Sequence, residues 1–180
     1  MAADGPGSRS AAPTSRPPEA MRASPVGELP GSADRATRSQ PPARPRVLFL
    51  CVHNSARSQM AEGMLRAWAG DRFEAHSAGN VVARVRPEAI AVMDELGIDL
   101  RGQRSKDVAE YAGQRFDWAI TTCDENQEAC PFFPGAARRE YWPFDDPSAA
   151  SGSAEERLAT FRRVRDDVAA RMREFIAREA

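Results

Sequence analysis

The stretch Arg46-Val-Leu-Phe-Leu-Cys51-Val-His-Asn-Ser-Ala-Arg57-Ser58-Gln-Met-Ala-Glu-Gly63 decides the fold of this chain. Arg46 to Cys51 is a short apolar run after a proline-rich stretch, which suits a strand buried on both faces. A polar turn, Val52 to Arg57, follows it. From Ser58 the residues Met60, Ala61, Met64, Leu65 and Trp68 fall on one side at helical spacing, and Gly70 closes the helix. The order is therefore strand, tight loop, helix.

Downstream the alternation continues. Phe73 to Ser77 reads as a second strand, and Val85 to Leu96 as a second helix with Pro87 in its first turn and Gly97 just past its end. A shorter helix is expected to begin with Ser105 as its N-cap. Trp118 to Thr122 reads as a third buried strand and Arg139 to Trp142 as a less apolar fourth. Leu158, Phe161, Val164, Val168, Met172, Phe175 and Ile176 trace one face of a long C-terminal helix. Such an order predicts an α/β fold, an open four-stranded parallel sheet with helices on both faces. Ligands in these sheets bind beyond the carboxyl ends of the strands, where the first strand would deliver Cys51 and the third Cys123.

The chain has 180 residues, 42% of them apolar, which is enough for one ordinary core with something appended. Residues 1–45 hold nine of the 14 prolines and no Phe, Trp or Tyr. Such a segment cannot offset its ordering entropy, so 1–45 is expected to be a disordered extension and 46–180 the domain. The extension is rich in Arg and Ser like a transit peptide, but Asp4, Glu19, Glu28 and Asp34 argue against that. A true start at Met21 or later would explain it equally well. No apolar stretch is long enough for a signal sequence or a membrane span, so a cytoplasmic protein with no membrane partner is expected. The formal net charge of -1 implies no basic surface for nucleic acid.

The loop after the first strand carries the chemistry. A loop closing onto a helix N-terminus aims unpaired N–H groups at one point, and the helix dipole adds positive potential there. Residues Val52, His53, Asn54, Ser55, Ala56, Arg57 and Ser58 would thus cradle a tetrahedral oxyanion. Arg57 supplies a planar fork for two of its oxygens. Cys51 at the bottom feels the same field, which favours the thiolate, its nucleophilic form. Ser58 can donate to that sulfur, and Asn54 tolerates left-handed backbone. His53 is read as a locally hydrogen-bonded loop residue.

Two further motifs bear on the same site. In Tyr141-Trp-Pro-Phe-Asp145-Asp146-Pro147, a rigid turn could hold Asp146 over the anion as a general acid, or Asp-Pro could merely open a turn. Cys123 and Cys130 enclose six residues, a spacing that does not suit zinc, and neither His53 nor His76 completes a ligand set. No metal site is expected. A reversible dithiol fits better, because Asp124, Glu125 and Glu128 make the intervening segment polar enough to move.

Together CVHNSARSQMAEG, the Cys123/Cys130 pair and FDDP resemble the arsenate reductases of the thioredoxin-coupled type, built on the low-molecular-weight protein tyrosine phosphatase fold. The resemblance runs from about Val47 to the C-terminal helix and makes the loop after the first strand a phosphatase-like anion loop. It implies that Cys51 is the nucleophile, Arg57 the oxyanion clamp, Ser58 the thiolate partner, Asp146 the general acid, and Cys123 and Cys130 the relay thiols. It also implies arsenate as substrate, phosphate and sulfate as competing oxyanions, no tightly bound cofactor, thioredoxin as reductant and a monomer. In relatives that bind a monovalent cation, residues matching Asn54, Glu62 and Ser77 surround the metal together with an acid. Here Lys106 replaces that acid, and its ammonium is expected at the cation position with Glu62 as partner.

Two other readings share these residues. One is a low-molecular-weight phosphatase that hydrolyses a phosphocysteine at Cys51. Pro147 is however followed by Ser-Ala-Ala-Ser-Gly, where phosphotyrosine-specific relatives place an aromatic pair. The other is a thiol-based oxyanion or redox sensor, which would be oxidised once and stop.

Overall fold

The run Val47 to Leu50 is 1% exposed or less and forms the centre of the sheet, as an unbroken apolar strand between two parallel neighbours must. The computed structural model describes residues 43–124 and 129–179. In chain order its elements are β1 (Arg46–Leu50), α1 (Arg57–Ala69), β2 (Glu74–Ala78), α2 (Pro87–Asp94), a 3-10 turn (Val108–Tyr111), β3 (Phe116–Thr121), β4 (Ala136–Tyr141), a second 3-10 turn (Pro147–Ala149) and α3 (Ala154–Arg178). The expected disordered extension lies outside the described residues except for its last three. Of these, Pro45 already accepts a hydrogen bond from Glu74 N.

All strand pairs are parallel, in the order β2-β1-β3-β4. The chain leaves β1 toward one side and later returns on the other, so the crevice at the carboxyl ends of β1 and β3 is the switch point of the sheet. Thr122 closes that end, donating through both its N–H (2.7 Å) and its Oγ1 (2.9 Å) to Leu50 O.

The two faces of the sheet are covered unequally: α1, α2 and α3 all pack on one, and the first 3-10 turn with the segment before β4 covers the other. Val47 and Phe49 face a large core with Met60, Met64 and Leu65 of α1, Val92 and Met93 of α2, and Phe161, Val164, Val168, Met172 and Phe175 of α3. Each such side chain contributes about 1.5–3 kcal/mol of burial before ordering costs. Leu48 and Leu50 face a smaller core closed by Tyr111 of the first 3-10 turn, Phe116 and Phe133.

Several expected boundaries need correction: β3 begins at Phe116 and not Trp118, and β4 at Ala136 and not Arg139. The second helix starts at Pro87, not Val85, because the residue before a proline is disfavoured in helical conformation and Arg86 is extended (φ -65°, ψ 133°). It ends at Asp94, with Gly97 beyond it in the left-handed region (φ 72°). Ser105 is not an N-cap. Asp107 caps the short turn through Ala109 N, in a reciprocal box with Glu110, while Ser105 Oγ donates to His53 O (3.0 Å) and accepts from Ala83 N (3.0 Å).

Candidate active site

Cys51 follows β1 directly, and its N–H still pairs with Ala78 O of β2 at 3.2 Å. The chain then turns sharply. Asn54 takes a left-handed conformation (φ 46°), which folds its N–H back onto Cys51 Sγ at 3.1 Å. Ser58 Oγ lies 2.9 Å from the same sulfur. The next helix, α1, begins without a capping side chain, so its dipole and first N–H groups address the loop.

A buried polar network holds this loop from behind. Asn54 Oδ1 accepts from Lys106 N (2.8 Å) and Gln59 Nε2 (2.8 Å), which fixes the orientation of its amide. The opposite end, Nδ2, donates to Ser58 Oγ (2.9 Å) and Ser77 Oγ (2.8 Å). Ser77 in turn donates to Glu62 Oε2. With Asn54 supplying a donor to it, Ser58 keeps its own proton for Cys51 Sγ whenever that sulfur is a thiolate. Glu62 is 4% exposed and pairs with the Lys106 ammonium (3.1 Å) and with Arg66. Lys106 Nζ donates also to Arg104 O (3.0 Å). Asn54, Ser58, Glu62, Ser77 and Lys106 are thus brought into one connected cluster.

Arg57, 3% exposed, reaches across the crevice from the start of α1. It donates to Phe144 O (3.0 Å) and meets Asp146 Oδ2 at 3.4 Å and Asp124 Oδ2 at 3.9 Å. Asp146 opens the turn expected of an Asp-Pro pair. Its Oδ1 accepts from Ser148 N (3.0 Å) and opens the Pro147–Ala149 turn, which leaves Oδ2 facing Arg57. A cavity of about 760 Å³ beside the loop is lined in part by His53, Ser55, Arg84, Arg86, Asp146 and Ser148. Among the described residues no group of three or more His, Cys, Asp or Glu is arranged to hold a metal ion.

Cys123 follows β3 and is fully buried, packed with Cys51 and Val52, with Cys130 against them. Cys123 and Cys130 are joined as a disulfide across a Cα separation of 6.3 Å, and Cys51 is a free thiol. The expected mobility of the intervening segment falls on Glu125 to Glu128, outside the described residues. His76 plays no part here; it pairs with Glu74 at 2.7 Å on the edge strand.

A family model described as low molecular weight phosphotyrosine protein phosphatase matches residues 46–179. The chain belongs to that family. Within it, the chain lies with the arsenate reductases: the arsenate reductase of Bacillus subtilis (strain 168) is 40% identical over 129 residues, which are 72% of this chain and 93% of that protein. A solved arsenate reductase in the phosphate binding state has a TM-score of 0.65 at 33% identity, covering 76% of this chain and 99% of the other. The thioredoxin-dependent arsenate reductase of Corynebacterium glutamicum has a TM-score of 0.57 at 26% identity, covering 76% and 62%.

Three residues of this phosphatase-family site escape a reading of the sequence. A Cβ on Gly79 would lie 2.5 Å from Val52 O, 2.7 Å from Cys51 O and 2.9 Å from Asn54 N, so only glycine lets the end of β2 pass behind the loop. Gln59 is fully buried and donates to Asn54 O, Asn54 Oδ1 and Arg104 O. Ser105 anchors His53 O. The only signal of Gln59 was a polar residue among apolar helical neighbours; Gly79 lies in an ordinary-looking turn, and Ser105 reads as a helix cap.

Proposed function

We propose that this chain reduces arsenate to arsenite through Cys51, Cys123 and Cys130 and is recycled by thioredoxin, with no tightly bound cofactor. The observation that carries the reading is the packing of the free Cys51 thiol against Cys123, itself bonded to Cys130. This is the pairing in which a three-thiol relay ends.

The N–H groups of Val52 to Ser58 and the Arg57 guanidinium hold the oxyanion. Cys51 Sγ attacks arsenic, an S–As bond forms and an As–O bond breaks, and the oxygen leaves as water with a proton from Asp146. The Cys123 thiolate then attacks Cys51 Sγ. The S–As electron pair passes to arsenic, which departs as arsenite, reduced by two electrons and leaving a Cys51–Cys123 disulfide. Attack by Cys130 on Cys123 Sγ expels the Cys51 thiolate, a good leaving group with Asn54 N and Ser58 Oγ beside it. The Cys123–Cys130 disulfide takes two electrons from thioredoxin. Phosphate and sulfate compete for the same cradle. Slow hydrolysis of phosphomonoesters follows from that likeness, since the cradle and Asp146 serve a phosphocysteine equally.

Arsenate-dependent oxidation of NADPH in the presence of thioredoxin and thioredoxin reductase tests the reading. Turnover many times the amount of protein is expected. Oxidation that stops after one equivalent would mean a sensor, and aryl phosphate hydrolysis without arsenate-dependent NADPH loss would mean a phosphatase.

A further inference from the structure

The segment 81–86 runs along the anion loop and is fastened to it on both sides of Arg84. Val81 N donates to Val52 O (3.0 Å), Arg86 N to Ser55 O (2.8 Å), and Ala83 N to Ser105 Oγ, which itself donates to His53 O. Arg84 and Arg86 are therefore held in register beside the residues that cradle the oxyanion, and both line the cavity of about 760 Å³ there. Their charges are not engaged elsewhere. Among the described residues neither guanidinium has an ion pair, a hydrogen bond or a ring contact. The carboxylates on or next to the cavity lining are already taken: Asp146 by Arg57 (3.4 Å), Asp145 by Arg163 (2.9 Å) and Glu88 by Arg157 (3.5 Å). α2 also starts at this cavity without a capping side chain, so the positive end of its dipole adds to the two charges.

A bare oxyanion does not need this space. The loop alone encloses its oxygens, while the cavity is of a size that takes a small organic molecule. Asp146 lies on the cavity wall, so an ester oxygen that receives the Asp146 proton directs the group attached to it into the cavity. We propose that Arg84 and Arg86 form a second anion subsite, which selects, among phosphomonoesters held by the Cys51 loop, small ones that carry a second anionic group. The proposal rests on the slow phosphomonoester hydrolysis of the preceding section and names its substrate class. In that reaction the phosphoryl group passes to Cys51 Sγ, the ester P–O bond breaks, the released alcohol takes the Asp146 proton, and water then clears the phosphocysteine. Arg84 and Arg86 meet only the far end of the substrate. A guanidinium fork holds a carboxylate by two parallel hydrogen bonds and keeps its charge at every relevant pH. Because the charges line a cleft instead of an open face, less of their attraction is lost to solvent. On the other wall Ser148 and Ala149 are too small to grip an aromatic ring, so an uncharged aryl group gains little here.

The test compares 4-carboxyphenyl phosphate with 4-carbamoylphenyl phosphate, two esters of nearly the same shape that differ by one charge. Hydrolysis by the full-length protein is read as inorganic phosphate released. The ratio of kcat/KM for the carboxylate to that for the amide, which cancels their different reactivity when proteins are compared, is expected to fall about tenfold in the double variant Arg84→Gln and Arg86→Gln. The rate with the amide should not change. An unchanged ratio overturns the proposal, whether both esters are lost alike or neither is. Binding separates a failure of the subsite from a failure of the hydrolytic reading. In Cys51→Ser, which lacks the nucleophile, calorimetric titration should show the carboxylate bound about tenfold tighter than the amide, and the two bound equally once both arginines are also replaced. That preference without detectable hydrolysis by the wild type would remove the phosphatase activity and leave the subsite intact, whereas equal affinities in Cys51→Ser would remove the subsite.

Discussion

The Lys106 ammonium lies 3.1 Å from Glu62 Oε2 in a pocket where both side chains are almost wholly buried. Because Glu62 also accepts from Ser77, the lysine is joined through Ser77 and Asn54 to Ser58 and the Cys51 sulfur.

Removing Lys106 would leave the Glu62 carboxylate short of its buried counter-charge. Breaking a buried pair from one side costs about 3–5 kcal/mol, and Arg66, half-exposed, offsets part of that. Lys106→Ala is therefore expected to lower stability by roughly 2–4 kcal/mol in denaturant titrations. If the ammonium stands in for a cation, the melting temperature of the wild type does not change when sodium replaces potassium at fixed ionic strength. A potassium-specific stabilisation would show that a cation site is still open.

Cys51→Ser should abolish arsenate reduction and any aryl phosphate hydrolysis by at least about a thousandfold, since one nucleophile serves both. Cys123→Ser should separate the two activities. Phosphocysteine is released to water without a second thiol, so hydrolysis should persist while multiple-turnover reduction is lost. Full arsenate turnover in Cys123→Ser would end the relay model.

Cys130→Ser should release one equivalent of arsenite and stall with Cys51 bonded to Cys123, or with Cys123 on an added thiol. Mass spectrometry of the single-turnover product reads this directly. A wild-type oxidised product linked through Cys51 would contradict the order of exchange.

Gly79→Ala tests the close approach of β2 to the anion loop. A methyl group there would meet three backbone atoms of the loop, none of which belongs to a flexible side chain. Displacement of the Cys51 sulfur on the order of 1 Å is expected to cut kcat/KM about a hundredfold, with a stability loss of about 1–3 kcal/mol. Near-normal kinetics would mean that the loop yields without moving the sulfur.

The capping box before Tyr111 gives a pH signature. A hydrogen bond from Arg104, followed by one from Asp107 N, holds the Glu110 carboxyl down to about 2 against burial, from an ordinary 4.5. Its folded value is the lower one, so its contribution is complete above about 4.5 and fades as pH falls toward about 2. Glu110 is exposed over 40% of its side chain, so the effect is screened by salt. The difference in melting temperature between wild type and Glu110→Gln should be constant near neutral pH and shrink below about 4.5. A difference that stays flat down to pH 3 would remove the ion pair from the account.

The sequence by itself determined the order strand, loop, helix around Cys51 and the alternation that follows, while the grouping of the three thiols with Arg57 and Asp146 came from the family resemblance. The order and the alternation are local matters. An apolar run of strand length, a helical repeat of Met and Leu, and a loop that must end in helical N–H groups each state their structure within about ten residues. Even Asn54 was legible, because few residues other than glycine accept its φ of 46°.

What only the tertiary structure decided is how distant segments meet behind that loop. Ser105 suits a helix cap on sequence alone, yet its hydroxyl is claimed by His53 O and Ala83 N, and Asp107 takes the cap instead. Gly79 and Gln59 carry no local pattern. Their importance arises because β2 lies parallel to β1 and brings its end against the loop, and because α1 turns Gln59 inward, where its amide must find backbone partners. The shielding of Cys123 belongs to the same class. It depends on packing against Cys51 and Val52, about 70 residues earlier in the chain, and no short-range rule of sequence encodes it.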